Sequence, residues 1–302
     1  MKHYMCFDIG GTSVKYGVAE ENGNLLCKGE IPNKIINTGV DGLVEDLAAT
    51  TEQYRKEYSL YGIAVSTAGV VEPGQGLILY APKYFPGYPG TVLAERLEKR
   101  CGLPCTVEND VNAAALGEYW LGAGRGAKSL FCITVGTGIG GCAILDGRVI
   151  HGAACFGGEA GLQHITPEST WEEMASARAL IRNVAASKGL QETELDGRKI
   201  FAMAKTGDTD AVAAIAKQMD DLATGIVNIC YILNPERIII GGGIAAQEEY
   251  LYPLLDSALR KKLFPLVYDR LALCFATLKN DAGLIGALKN FLLRNNLNNG
   301  KM

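Results

Sequence analysis

The sequence predicts an α/β architecture of two similar lobes with a cleft between them. Two observations carry this. Strand patterns alternate with helix patterns along the 302 residues, the order expected of layered α/β folds. One local plan also occurs twice. Phe7-Asp8-Ile9-Gly10-Gly11-Thr12-Ser13-Val14-Lys15-Tyr16-Gly17-Val18 runs on to Asn22-Gly23. Cys132-Ile133-Thr134-Val135-Gly136-Thr137-Gly138-Ile139-Gly140-Gly141-Cys142-Ala143-Ile144-Leu145 runs on to Asp146-Gly147. Each copy is an apolar strand, a Gly/Thr-rich turn, a second apolar strand and a hairpin signal.

In chain order, 4–31 reads as a β-meander. Apolar Leu43, Leu47 and Tyr54 mark a helix over 40–58. A buried strand runs from Tyr61 to Ser66 and turns at Thr67-Ala68-Gly69. Residues 72–90, rich in Gly, Pro and Tyr, read as an ordered surface loop or lid edge. A helix from Val92 to Cys101 ends at Gly102-Leu103-Pro104. The strand Cys105–Glu108 leads through Asn109-Asp110 into a helix from Val111 to Leu121, and Gly122 to Gly126 form a domain junction. The second half repeats the plan, with the glycine hairpin 130–151, a glycine turn at Gly157-Gly158, and helices over 171–187 and 210–233. In the last helix Ile215, Met219, Leu222, Ile226, Ile229 and Leu233 form one apolar stripe, and Asn234-Pro235 stops it. Arg237–Ile240 is a strand running into Gly241-Gly242-Gly243, with a helix after it. Residues 271–276 form a late strand and 281–293 a closing helix, and the polar tail 295–302 is expected to fray. The division expected is 1–121 with 286–302 as the smaller lobe and 122–285 as the larger.

Composition bounds the partners. The net charge is −4 with no Arg/Lys stripe, which argues against nucleic acid. No apolar stretch reaches membrane-spanning length, and Met1-Lys2-His3-Tyr4 leads straight into a strand. A cytoplasmic protein with no membrane partner is expected. The nine cysteines are scattered with no C-x-x-C, so they read as reduced and mostly buried. His3, His151 and His164 are too dispersed to announce a metal site.

A glycine turn lets backbone N–H groups approach an anion, because no Cβ intervenes. One such turn is more often only a tight hairpin. Two in one chain, with Asp8 at a strand end and hydroxyls at Thr12 and Thr137, suggest two jaws gripping a polyphosphate. Asn109-Asp110 reads as a helix cap. It equally places a carboxylate on a first helical turn, where the N-terminus favours its ionised form.

With these segments in view, the chain resembles the ROK family of sugar kinases, within the larger group of actin-like ATPases and hexokinases. The carriers are Asp8-Ile9-Gly10-Gly11-Thr12 with Lys15, then Glu108-Asn109-Asp110-Val111-Asn112-Ala113-Ala114-Ala115-Leu116-Gly117-Glu118, Val135-Gly136-Thr137-Gly138-Ile139-Gly140-Gly141, Gly158-Glu159-Ala160-Gly161 and Ile240-Gly241-Gly242-Gly243. The resemblance implies a two-lobed hexokinase-type fold with a duplicated strand–helix core. It implies that Gly10, Gly11, Thr12 and Lys15, with Gly136, Thr137, Gly138 and Gly140, bind the phosphates of ATP, and that Gly241, Gly242 and Gly243 lie at the adenosine. By itself the last run is only a strand-to-helix turn. Asp8 is expected to help hold Mg²⁺, directly or through water. Asn109 and Asp110 are expected to bind sugar hydroxyls, with Asp110 as catalytic base, and Glu159 to bind the sugar ring. A homodimer is expected too.

Family members usually have Gly-Glu-x-Gly-His followed by a cysteine cluster that binds structural zinc. Here Leu162 stands at the histidine position, His164 comes two residues late, and no cysteine lies between Cys155 and Cys230. No structural zinc is therefore expected. Trp171-Glu172-Glu173-Met174-Ala175 resembles the segment carrying a second sugar-binding glutamate, which maps to Glu172; a solvated helix face is the plain alternative. His164 either reaches the sugar from a shifted loop or caps that loop.

The implied activity is ATP-dependent phosphorylation of a hexose or hexose derivative at the 6-hydroxyl, with N-acetylmannosamine, glucose and β-glucosides as the candidates. Lys83-Tyr84-Phe85-Pro86-Gly87-Tyr88 offers stacking surfaces for a second ring, or is ordinary aromatic packing. The rivals are a non-catalytic sugar-binding protein and a sugar-sensing regulator. The second would need a DNA-binding domain before the glycine strand, and none is expected.

Overall fold

The computed structural model describes residues 1–295, so the expected fraying of 295–302 falls, past Asn295, outside the described residues. The chain opens with three antiparallel strands, β1 (His3–Ile9), β2 (Ser13–Glu20) and β3 (Leu25–Pro32). Helix α1 (Ile35–Arg55) follows, then β4 (Leu60–Thr67), the hairpin of β5 (Val70–Glu72) and β6 (Leu77–Tyr80), helix α2 (Leu93–Cys101), β7 (Cys105–Asn109) and α3 (Asp110–Leu121). The sheet runs β3-β2-β1-β4-β7, with β1, β4 and β7 parallel. Residues alternate across it, as strand geometry requires. Met5, Phe7 and Ile9 join Leu43 and Leu47 of α1 and Leu93 and Leu97 of α2 in one buried cluster.

The second half repeats this sheet. Antiparallel β8 (Ser129–Val135), β9 (Ile139–Leu145) and β10 (Arg148–Val149) come first. Helices α4 (Trp171–Ala175), α5 (Ala177–Lys188), α6 (Gly197–Lys205) and α7 (Thr209–Leu233) precede β11 (Arg237–Gly241), and α8 (Glu248–Lys262) and α9 (Pro265–Tyr268) precede β12 (Ala272–Phe275). The order is β10-β9-β8-β11-β12, with β11 parallel to both β8 and β12. The apolar stripe of α7 packs Ile215, Met219, Leu222, Ile226 and Ile229 into a core with Ile133, Val135, Ile238 and Ile240. Finally α10 (Ala282–Arg294) returns to the first sheet, where Leu284, Leu288 and Phe291 meet Tyr4 and Cys6 on the face opposite α1 and α2.

The chain divides into two compact units. One comprises Met1–Gly126, His151–Phe156 and the chain from Leu278; the other comprises Ala127–Ile150 and Gly157–Thr277. The edges differ from 1–121 with 286–302 and 122–285 for a local reason. Buried Glu118 on α3 accepts from the N–H groups of Ala123 and Leu278 at 2.8 Å each, which ties 122–126 and 278–281 to the first unit.

Several local expectations need correction. Residues 72–90 are not wholly loop, since β5 and β6 pair there, and Phe85 and Tyr88 are core residues stacked at 5.2 Å. Tyr84, beside them, is half-exposed, as is Tyr80 at the end of β6. The helix over 171–187 breaks at Ser176, whose extended backbone ends α4 and whose side chain accepts from Ala179 N–H to cap α5. Helix α6 was not expected. After Gly243 a short 3₁₀ turn precedes α8. Helix α1 starts early, but Gly39 (φ +66°) interrupts it, so the regular helix begins at residue 40 and ends at Arg55 rather than 58. All nine cysteines are free thiols and six are buried.

Candidate active site

In the first unit, strand register assembles the candidate residues. Asp8 pairs with Ser66 across β1–β4, and Ser66 with Glu108 across β4–β7; one step on, Ile9, Thr67 and Asn109 form the next row. Asp8 and Asn109 thus stand at the ends of parallel strands about 10 Å apart, two strand spacings. Ser66 Oγ donates to Asp8 Oδ1 at 2.7 Å, and Lys15 Nζ lies 3.9 Å from Oδ2. The first turn of α10 closes on this carboxylate: a Cβ at Gly283 would lie 2.8 Å from the Asp8 carboxyl carbon. Among the described residues no cluster of three or more His, Cys, Asp or Glu forms. A single partly exposed carboxylate suits Mg²⁺, which binds through one or two carboxylates plus phosphates and water.

Asn109 ends β7 and caps α3. Its Oδ1 accepts from Asn112 N–H at 3.0 Å, and its Nδ2 donates to Gly69 O at 2.8 Å and Asp110 Oδ1 at 3.0 Å. Asp110 Oδ1 also accepts from Val111 N–H at 2.9 Å. The cap reading of the sequence and the proximity of the two candidate side chains are therefore one geometry. Such bonds favour the charged carboxylate, and a fixed carboxylate at a helix N-terminus can orient a hydroxyl and accept its proton.

The glycine turns behave alike. Gly10 N–H donates to Ser13 O, and Gly136 N–H to Gly138 O, at 3.0 Å each, so these two N–H groups are used inside their turns. Gly11, Thr12 and Thr137 are the exposed residues. Gly140 lies in β9, opposite Thr134, rather than in the turn. The ring of Tyr84 lies over Gly11, where a Cβ would meet it at 2.9 Å.

In the second unit Glu172, on the first turn of α4, points at the glycine turn. Its Oε2 accepts from Ile139 N–H at 3.3 Å. A Cβ at Gly138 would sit 2.5 Å from that oxygen, and one at Gly161 3.2 Å, so both glycines make room for it. Neighbouring Glu173 is exposed and instead completes a capping box with Thr170. Glu159 is exposed as a residue, yet its carboxyl is crowded. Desolvation first, and the Glu172 charge second, push it above the usual carboxylate range. The two candidate glutamates are thus electrostatic neighbours. His164 is exposed, bridges Thr170 and stands beside Glu173, and Leu162 is 53% exposed. Gly242 (φ +80°) brings the chain against β8; a Cβ there would meet Val135 O at 2.5 Å. This strand-to-helix turn therefore lies beside the end of β8, where the second glycine turn starts.

Sequence reasoning passed over Ser66, Gly69 and Gly283, and it listed Glu108 and Asn112 without roles. For Ser66 and Gly283 the missing signal is contact between residues distant in the chain.

Comparison with known proteins bears on these sites. The ROK family model matches residues 4–293. The chain is 32% identical to a glucokinase of Halalkalibacterium halodurans, covering 94% of this chain and 93% of that one. It is also 32% identical to a β-glucoside kinase of Listeria monocytogenes, covering 96% and 97%. Among solved structures it is similar to a ROK family glucokinase from Streptomyces griseus in complex with glucose and AMPPNP, with a TM-score of 0.80, 28% identity, and 95% and 98% of the two chains covered. With the match spanning nearly its whole length, the chain belongs to the ROK family.

Proposed function

We propose that this protein transfers the γ-phosphoryl group of ATP to the 6-hydroxyl of a hexose or hexose derivative. The observation that carries the reading is Asp110, held on the first turn of α3 by Asn109 and Val111 N–H, in a chain whose kinase relatives match it end to end.

Phosphoryl transfer is mostly positioning and charge stabilisation. Asp110 orients the attacking hydroxyl and takes its proton. Asn109 holds that carboxylate, and Glu159 and Glu172 accept from ring hydroxyls. The exposed Gly11-Thr12 and Thr137 contact the phosphates. Asp8 would hold Mg²⁺, directly or through water, and the bound ion would offset charge on the phosphates. Lys15, beside Asp8, adds a second positive charge there.

The sugar classes are N-acetylmannosamine, glucose and β-glucosides. Leu162 removes a polar partner at the ring, and an unpaired substrate hydroxyl would cost about 1–3 kcal/mol. An acetamido or β-linked substituent at that end is the better fit. A coupled ADP-release assay across N-acetylmannosamine, glucose, fructose, mannose and cellobiose, with and without divalent cations, tests the reading. Cation-dependent ADP release with at least one sugar is expected; none with any sugar would refute it. Unmodified glucose as much the best substrate would remove the argument from Leu162.

A further inference from the structure

A buried carboxylate to which the proposed reaction assigns no role stands one residue before Asn109. Glu108, at 0% exposure, lies on β7. Its Oε1 accepts from Asn109 N–H at 2.9 Å and from Asn112 Nδ2 at 3.1 Å. Its Oε2 accepts from His151 Nε2 at 2.9 Å. Burying a carboxylate is costly unless hydrogen bonds offset its lost hydration, and here three donors converge on it.

Their placement is specific. Asn109 and Asn112 are the two ends of the turn that carries Asp110, and Asn112 N–H also donates to Asn109 Oδ1. One oxygen of Glu108 therefore fixes both ends of the segment. The other is held by His151, the second residue after β10, where the chain re-enters the first unit for residues 151–156. Without the His151 donor, the carboxyl keeps its two Oε1 bonds but loses the one that fixes its second oxygen.

We infer that Glu108 and His151 are positioning residues for Asp110: His151 locks the Glu108 carboxylate, which locks the Asn109–Asn112 turn and so aims the base. The inference rests on the reading of Asp110 as base. A misplacement of about 1 Å at a reacting group can cost on the order of 10²-fold in rate, so a small rotation here suffices.

The test compares His151→Gln with His151→Asn. The glutamine amide reaches the Nε2 position, while the asparagine amide is one methylene too short; both keep the segment polar. Each is measured in the wild-type and Asp110→Asn backgrounds for kcat, both KM values and thermal midpoint. His151→Asn should lower kcat by about tenfold or more with the KM for ATP unchanged, and His151→Gln should recover most of it. In the Asp110→Asn background His151→Asn should cost little further, because it acts through the group already removed. Unchanged kcat in His151→Asn, a glutamine variant no better than the asparagine one at matched thermal midpoints, or equal losses in both backgrounds would each overturn the inference. If Asp110→Asn alone turns over normally, the reading of Asp110 as base falls, and this inference falls with it.

Discussion

The side-chain amide of Asn109 donates to Asp110 Oδ1 at 3.0 Å, while its carbonyl oxygen caps the helix that Asp110 begins. One side chain thus serves stability and orientation together. Asn109→Ala should cost about 1 kcal/mol through the lost cap. It should also lower kcat/KM for the sugar by more than tenfold. Denaturant titration and steady-state kinetics on the same preparation separate the two. A loss of stability with normal kinetics would leave Asn109 a cap and nothing more.

Glu159 gives a pH signature. Its carboxyl lies above the usual range through desolvation and the Glu172 charge, so the folded protein binds that proton more tightly than the unfolded chain does. Stability linked to this group is then full below the unfolded value, near 4.3, and falls as pH rises through the folded value. Glu159→Gln should therefore raise the thermal midpoint at pH 7 and lose that advantage at about pH 4, while weakening sugar binding. A midpoint difference that does not change with pH would mean that Glu159 is not strained in the folded state.

Glu172 and Glu173 are adjacent in sequence and differ in surroundings: Glu172 faces the glycine turn, and Glu173 closes a capping box with Thr170. Glu173→Ala should remove a capping-box partner and lower the thermal midpoint slightly, with kcat/KM unchanged. Glu172→Ala should lower kcat/KM for the sugar at least tenfold. The reverse pattern would assign the sugar contact to Glu173, one position later on this helix.

Much of this architecture was legible because it depends on local chemistry. The glycine turns announce themselves through missing Cβ atoms, and Asn109-Asp110 through the preference of Asn for a cap. What stayed hidden depends on contacts between distant segments. The His151–Glu108 bond joins residues 43 apart in sequence, and His151 alone looked like a stray histidine. The break at Ser176 was masked because apolar positions continue through it at helical spacing. Phe85 and Tyr88 were hidden in a Gly- and Pro-rich stretch whose composition reads as surface, though their rings are buried. Glu172 and Glu173 look alike as residue types; the approach of Gly138 and Gly161 to the first and the Thr170 capping box of the second tell them apart.

The proposed phosphoryl transfer to a sugar hydroxyl turns on Asp110 as its base. Asp110→Asn keeps the shape and the helix start and removes the proton acceptor. Its kcat should fall by on the order of 10²-fold or more, with the calorimetric Kd for the sugar within a few-fold of wild type and the thermal midpoint preserved. Near-normal turnover by that folded, sugar-binding variant would contradict the account.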